Sequence, residues 1–311
     1  MQIAIDMMGG DYAPAEAIKG IVDWNKESEA DTHLLLLGEE ESLQSFLAEQ
    51  QIPAELYTII SCPDVIGYHD NPIKALKEKP NSTIATGFGL LARQKADAFI
   101  SAGNTGAMMV GSMFSLKPIE GLLRPTISTI IPRENGKTGL LLDVGINSDC
   151  KPEHLNQFAS MGAAYAKIIL GIENPRVGLL NIGEEKSKGN QLAQNTYPLL
   201  KANTNIHFVG NIEGRGILED IADIIVCDGF TGNVLLKLLE SIYPITLRQG
   251  IVHPYFKRFH FEQYGGTPVL GVSKPVIIGH GVSGSEAFKN MILLAEKMIQ
   301  TNFIEAMQAR L

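Results

Sequence analysis

Two short stretches of this chain gather residue types that can hold an anion and polarise a carbonyl. Ser101-Ala102-Gly103-Asn104-Thr105-Gly106 and Cys227-Asp228-Gly229-Phe230-Thr231-Gly232-Asn233 each follow an apolar run, and both copies fit Ala-Asp, five residues, then Gly-x-Thr-Gly. The pattern predicts a buried strand, a tight turn and a helix N-terminus. There, free backbone N–H groups and the positive end of the helix dipole favour a phosphate-like anion. The plainer reading is a tight turn with a threonine cap. As a matched pair, Gly103, Asn104, Thr105, Gly106 and Gly229, Thr231, Gly232 predict two walls of one anion site, with Ser101 and Asp228 at the strand ends.

A third loop adds charge. Asn181-Ile182-Gly183-Glu184-Glu185-Lys186-Ser187-Lys188-Gly189 follows another apolar run. Such a charged stretch is often only a solvated face. At a strand end, however, Lys188 can counter an anion held at the neighbouring turns, and Asn233 can donate to a developing oxyanion. Lys188 and Asn233 are therefore the expected catalytic pair. Asn104, Asn147 and Asn181 share the strand-end placement and supply neutral donors. Asp6, Gly9 and Gly10 after the first strand, and Asp143 before Asn147, complete the expected phosphate- and substrate-binding set.

Other chemistries fit less well. Gly87-Phe88-Gly89-Leu90-Leu91-Ala92 matches a dinucleotide fingerprint in letters, but it lies inside a helical pattern. Gly136-Lys137-Thr138 has neither the first glycine nor the following helix of a P-loop. The seven histidines include no helical metal pair, so no metal and no cofactor is expected. Cys227 stands where an acyl-enzyme nucleophile can stand, although a cysteine on a strand is more often simply buried.

The elements that must position these residues alternate. Apolar strands at 1–6, 33–38, 57–60, 128–131, 139–144, 176–181, 206–209 and 276–278 are separated by helical patterns, the signature of an α/β sandwich with ligands at the strand carboxyl ends. At 311 residues the chain is read as one α/β/α catalytic domain over 1–311, in one body or two lobes, with an arm at about 240–264. A net charge of −8 argues against a nucleic-acid binder. Three cysteines without paired spacing, no secretory leader and no apolar run of spanning length predict a cytoplasmic protein.

Read together and in order, Met8-Gly9-Gly10-Asp11, Ser101 to Ala107, Arg124-Pro125, Asp143 to Asn147, Gly178 to Glu185, Lys188-Gly189, Asp228 to Asn233 and Tyr264-Gly265-Gly266 carry a resemblance. The chain resembles the bacterial phosphate acyltransferases of phospholipid synthesis, the PlsX family of acyl-carrier-protein:phosphate acyltransferases. The resemblance runs from Met1 to the final helix. It implies a three-layer α/β/α sandwich like the isocitrate and isopropylmalate dehydrogenases, a homodimer, and transfer of a fatty acyl chain from acyl carrier protein to inorganic phosphate. It also implies a soluble protein or one held peripherally on the inner face of the membrane.

Two departures stand out. Tyr12 follows the Met-Gly-Gly-Asp run where family members commonly have histidine, and the 240–264 arm looks shorter than the family's helical hairpin. A phosphate acetyl- or butyryltransferase acting on coenzyme A thioesters is the alternative enzyme, and a dehydrogenase of the same fold comes third. A non-catalytic carrier-protein or lipid-binding scaffold is the alternative outside catalysis. Acyl carrier protein is acidic, so an acidic enzyme needs a local cationic patch. Arg248, Lys257 and Arg258 on the aromatic-rich arm are the first candidates for that surface, ahead of Lys74, Lys77 and Lys79.

Overall fold

The computed structural model describes residues 1–116 and 118–311. In chain order the elements are β1 (Gln2–Asp6), α1 (Ala15–Glu27), β2 (His33–Gly38), α2 (Glu40–Glu49), β3 (Tyr57–Ser61), α3 (Pro72–Glu78), α4 (Thr83–Ala92), β4 (Ala98–Ser101) and α5 (Thr105–Ser115). They continue as β5 (Thr126–Pro132), β6 (Thr138–Leu142), α6 (Pro152–Ile168), β7 (Arg176–Asn181), α7 (Gln191–Ala202), β8 (His207–Glu213), β9 (Ile224–Val226) and α8 (Gly229–Arg248). The last are α9 (Pro254–Lys257), β10 (Thr267–Leu270), β11 (Val276–Ile278), α10 (Ser285–Gln300) and α11 (Phe303–Gln308). The chain forms two compact units, Met1–Pro118 with Phe261–Gln300, and Ile119–His260 with Thr301–Leu311.

The first unit orders its strands β3-β2-β1-β4-β11-β10, all parallel except the β10–β11 pair. Buried on both faces, the inner strands read as continuous apolar runs, as in Leu34-Leu35-Leu36-Leu37. The chain moves one way from β1 to β3, then returns to place β4 on the other side of β1. That reversal is where open α/β sheets bind ligands. Helix α1 packs on α10, and the buried Glu296 carboxylate accepts from Trp24 Nε1 (3.1 Å), Thr32 Oγ1 (2.7 Å) and Ser28 Oγ (2.9 Å). Three donors offset the cost of burying that charge.

The second unit runs β5-β6-β9-β7-β8, with β5 antiparallel to β6 and the other neighbours parallel. The chain passes from β6 to β7 and β8, and β9 then fills the place between β6 and β7. Three carboxyl ends therefore stand side by side, those of β6, β9 and β7. Arg133, fully buried, donates to Asp220 Oδ1 (2.7 Å) and Asp223 Oδ1 (2.6 Å), while Arg176 Nε donates to Asp223 Oδ2 (3.0 Å). This pairing clamps the amino ends of β7 and β9 to β5.

Two boundaries differ from the sequence reading. Helix α8 continues to Arg248 through Pro244, so the start of the arm is a helical extension. Proline removes one N–H from the helix ladder without preventing continuation when the flanking turns hold. The final helix breaks at Asn302, whose left-handed φ of 46° separates α10 from α11.

Candidate functional site

In the first unit, Asn104 caps α5: its Oδ1 accepts from Ala107 N (2.9 Å), and its Nδ2 donates to Gly67 O (2.8 Å). Both ends of the amide are thus committed to holding the turn, which ties it to the 67–70 loop. Asp6 is buried, accepting from Ser101 Oγ (2.7 Å) and Met8 N (3.0 Å), and Ser101 Oγ in turn accepts from Gly103 N (3.0 Å). Burial pushes the Asp6 carboxyl above its usual range. Gly9 lies where a Cβ would come within 2.6 Å of Gly103 N, so only glycine lets the loop after β1 sit against the turn. Gly10 turns the chain so that Asp11 N donates to Gly281 O (2.7 Å). Asp6, Gly9, Ser101 and Asn104 therefore form the frame of the turn. Thr105 and Gly106 are its first-turn residues whose N–H groups have no carbonyl within the helix to meet.

The second unit brings more of the expected residues together. After β6, the buried Asp143 accepts from the N–H groups of Gly145 (3.0 Å), Ile146 (3.1 Å) and Asn147 (2.8 Å), and from Asn147 Nδ2 (2.7 Å). Burial still pushes its carboxyl upward. Asn147 also donates to Pro125 O (2.8 Å), and its own carbonyl accepts from Gly229 N (2.7 Å). The loop after β6 thus docks the start of α8. Any side chain at Gly232 would collide with Asp143 O, which explains the second glycine of that turn.

Asp228 caps α8, with Oδ1 accepting from Thr231 N (2.9 Å) and Oδ2 from Thr231 Oγ1 (2.8 Å). Gly232 N donates to Asp228 O (3.0 Å). Three of the first four N–H groups of this helix, those of Gly229, Thr231 and Gly232, are therefore engaged, and a carboxylate sits at the dipole end. The two turns match in sequence but not in chemistry: an amide caps one, a carboxylate the other. Asn233 is exposed and donates through Nδ2 to Val144 O (3.0 Å).

Beside the second turn lies the loop after β7. Asn181 Nδ2 donates to Lys188 O (3.1 Å), Lys188 N to Glu185 O (3.0 Å), and Gln194 Nε2 to the carbonyls of Ser187 and Gly189 (2.9 Å each). Asn211 Nδ2 adds a bond to Glu185 O (3.0 Å). The backbone is pinned, while the Lys188 side chain is exposed and has no acidic partner among the described residues. Asn181 and Gly189, on either side of this loop, line the same cavity of about 820 Å³ as Asp228 and Thr231.

Phe230 also lines that cavity and is 68% exposed. The motif treats it as the unspecified x of Gly-x-Thr-Gly, and nothing in the motif marks it. Cys227 is buried with Sγ near Asp143 O, and desolvation with neighbouring Asp228 and Asp143 drives its thiol well above the ordinary value. That removes the thiolate a nucleophile requires.

On the arm, Arg248 and Lys257 are exposed. Arg258 is turned inward, donating to Arg133 O (3.0 Å) and Lys137 O (2.6 Å), and so anchors the arm to the β5–β6 turn. The arm aromatics face each other: Tyr255 packs edge-on against Phe256 (5.6 Å between centroids) and Phe259 (5.4 Å), which is buried.

Each unit carries strand-end turns at a reversal of strand order, and the second joins a pinned lysine loop to a capped helix start. The solved structure of a phosphotransacetylase from Streptococcus pyogenes matches over 96% of this chain and 94% of its own, with a TM-score of 0.68 at 19% identity. The fold is the α/β architecture of the isocitrate dehydrogenase-like proteins. The family described as "Fatty acid synthesis protein" matches residues 1–306. The phosphate acyltransferase of Halothermothrix orenii is 44% identical, covering 98% of this chain and 96% of its own. That of Dictyoglomus thermophilum is 42% identical over 96% and 94%. The chain belongs to the phosphate acyltransferase family of fatty acid and phospholipid synthesis, and it is an acyl-transferring enzyme.

Proposed function

We propose that the acyl donor is a fatty acyl thioester of acyl carrier protein, and that Lys188 holds the attacking phosphate. The observation that carries this is the Lys188 loop: its backbone is fixed by Asn181, Gln194 and Asn211 while its ammonium lacks an acidic partner among the described residues. An unpaired cation on a pinned backbone beside a cavity suits a dianionic substrate.

Phosphate is already a competent nucleophile, so neither a base nor a covalent enzyme intermediate is needed. One phosphate oxygen attacks the thioester carbonyl carbon, the carbonyl electrons move onto oxygen, and collapse breaks the C–S bond. The products are an acyl phosphate and the carrier thiolate, which takes a proton from water or Lys188. Fixing the two reactants can supply roughly 7–11 kcal/mol of the barrier. Asn233, whose amide keeps one N–H beyond its bond to Val144 O, polarises the thioester oxygen, a contribution of about 3–4 kcal/mol.

In the first turn the anion donors are the N–H groups of Thr105 and Gly106, with Gly103 and Asn104 as their support. In the second, Gly229, Thr231 and Gly232 shape the helix start more than they bind. Arg248 and Lys257 meet the acidic carrier. The reading includes a homodimer in the cytoplasm; no helix among the described residues is long and apolar enough to cross a membrane.

The test is release of carrier thiol from palmitoyl acyl carrier protein, with and without phosphate, run beside palmitoyl coenzyme A. Phosphate-dependent release that favours the carrier protein supports the reading. Preference for a short coenzyme A thioester would give the site to a phosphate acetyltransferase instead.

A further inference from the structure

Resting on the acyl-transfer reading above, the cavity of the second unit is a candidate for the place of the acyl chain. The cavity of the second unit has about 820 Å³, in the range of roughly 300–1,000 Å³ typical of sites that enclose a small molecule. Its lining is largely aliphatic: Leu155, Leu179 and Ala193 are buried, while Ile182, Phe230 and Val234 are exposed.

The polar residues of the lining decide what it can hold. Asn181 spends its Oδ1 on Ile182 N (2.8 Å) and its Nδ2 on Lys188 O. Asn190 Oδ1 caps α7 by accepting from Ala193 N (2.9 Å), and both oxygens of Asp228 are taken by Thr231. Arg215 and Glu213 pair with each other at 2.6 Å. Much of the wall's side-chain hydrogen-bonding capacity is therefore spent within the protein. A polar occupant such as a nucleotide would find few donors or acceptors to replace its water, whereas an alkyl chain loses nothing on entry. The loop between Asn181 and Gly189 brings Lys188, which has no acidic partner among the described residues, to the edge of this apolar space. A thioester needs that combination: phosphate and carbonyl at the charged edge, hydrocarbon beyond it. Phe230 and Val234, one helical turn apart, leave apolar surface open to solvent that a chain would cover.

We propose that this cavity is the acyl-chain site and that its depth sets the preferred chain length, with Ala193 and Val234 as specificity-determining positions. The test uses the full chain, cis-parinaric acid as a fluorescent eighteen-carbon probe, and acyl carrier protein thioesters from four to sixteen carbons. Wild type is expected to bind the probe, and its kcat/KM to rise about fourfold per added methylene until the space is filled. Ala193→Phe fills the floor and Val234→Trp narrows the rim. Each is expected to weaken the probe at least tenfold and to lower the sixteen-to-four-carbon ratio of kcat/KM at least tenfold. Val234 is exposed, so that variant reads the site even where Ala193→Phe fails to fold.

Folded variants that bind the probe as wild type does, or that lose all chain lengths equally, overturn the proposal. The two readings fail separately. A wild type that turns over the long thioester yet ignores both substitutions keeps the acyl-transfer reading and loses this site. A wild type that binds the probe in a substitution-sensitive way but releases no carrier keeps the chain site and loses the acyl-carrier reading.

Discussion

The side-chain amide of Asn181 donates to the main-chain carbonyl of Lys188 at 3.1 Å, so the residue that ends β7 holds the lysine seven places later. Lys188→Ala is expected to lower kcat/KM more than tenfold, above about 1.4 kcal/mol of lost transition-state stabilisation. Its melting temperature should match wild type, because the side chain is exposed. Asn181→Ala is expected to raise the KM for phosphate by loosening the same loop. Phosphate titrations of both variants check this; a folded Lys188→Ala protein with more than a tenth of wild-type activity would refute the role.

The carrier surface should respond to Lys257 and Arg248 but not through Arg258. Lys257→Glu with Arg248→Glu is expected to raise the KM for acyl carrier protein and flatten its salt dependence, while a coenzyme A thioester is unaffected. Arg258→Ala should instead lower thermal stability, since it removes the two bonds that tie the arm to the carbonyls of Arg133 and Lys137. Equal loss on both substrates in the double charge reversal would remove the arm from carrier docking.

Burial raises the pKa of Asp223, but its bonds to Arg176 and Arg133 more than reverse this and hold it at about 2. Below its ordinary value of 3.8 the unfolded chain takes a proton that folded Asp223 refuses. Its stabilisation, on the order of 2 kcal/mol, is therefore complete above about pH 4 and lost as pH falls towards 2. Asp223→Asn should be less stable at pH 7 by on the order of 3 kcal/mol, because Arg133 is left buried. Denaturant midpoints should show that gap narrowing between pH 4 and 2. The raised carboxyls of Asp6 and Asp143 act in the opposite sense but are common to both proteins. A gap independent of pH would contradict the pairing.

Cys227→Ala should retain at least a third of wild-type turnover, with a stability cost near 1 kcal/mol for the lost sulfur contacts. A buried thiol pushed far above its ordinary value has almost no thiolate at neutral pH. Thiol alkylation at pH 7.5 is the companion measurement, and loss of more than a hundredfold in the alanine variant would restore a covalent mechanism.

Much of this was legible in the chain itself. Strands β7 and β11 carry the predicted bounds, because an apolar run ended by asparagine or glycine leaves little freedom. The Gly-x-Thr-Gly repeat marked both helix starts. It did not show that Asp228 would occupy its own helix end, since a cap's charge competes with a ligand only once the side chain has turned back. Nor did it reveal that Arg258 faces inward, or that Asn104 and Asn147 spend their amides on neighbouring loops. Each depends on contacts across tens of residues, to which local spacing is blind. Phe230 was hidden for a simpler reason: motifs record what must be constant, and the cavity uses the position between.

On this mechanism the acyl group passes directly from a thioester to phosphate. The measurement is a single-turnover reaction of palmitoyl acyl carrier protein with the enzyme, following carrier thiol, hydroxylamine-trapped acyl phosphate and the mass of the protein together. Direct transfer gives equal amounts of thiol and acyl phosphate, formed only with phosphate present, and an enzyme whose mass never changes. Thiol released without phosphate, or an enzyme that gains the mass of the acyl chain, would contradict it.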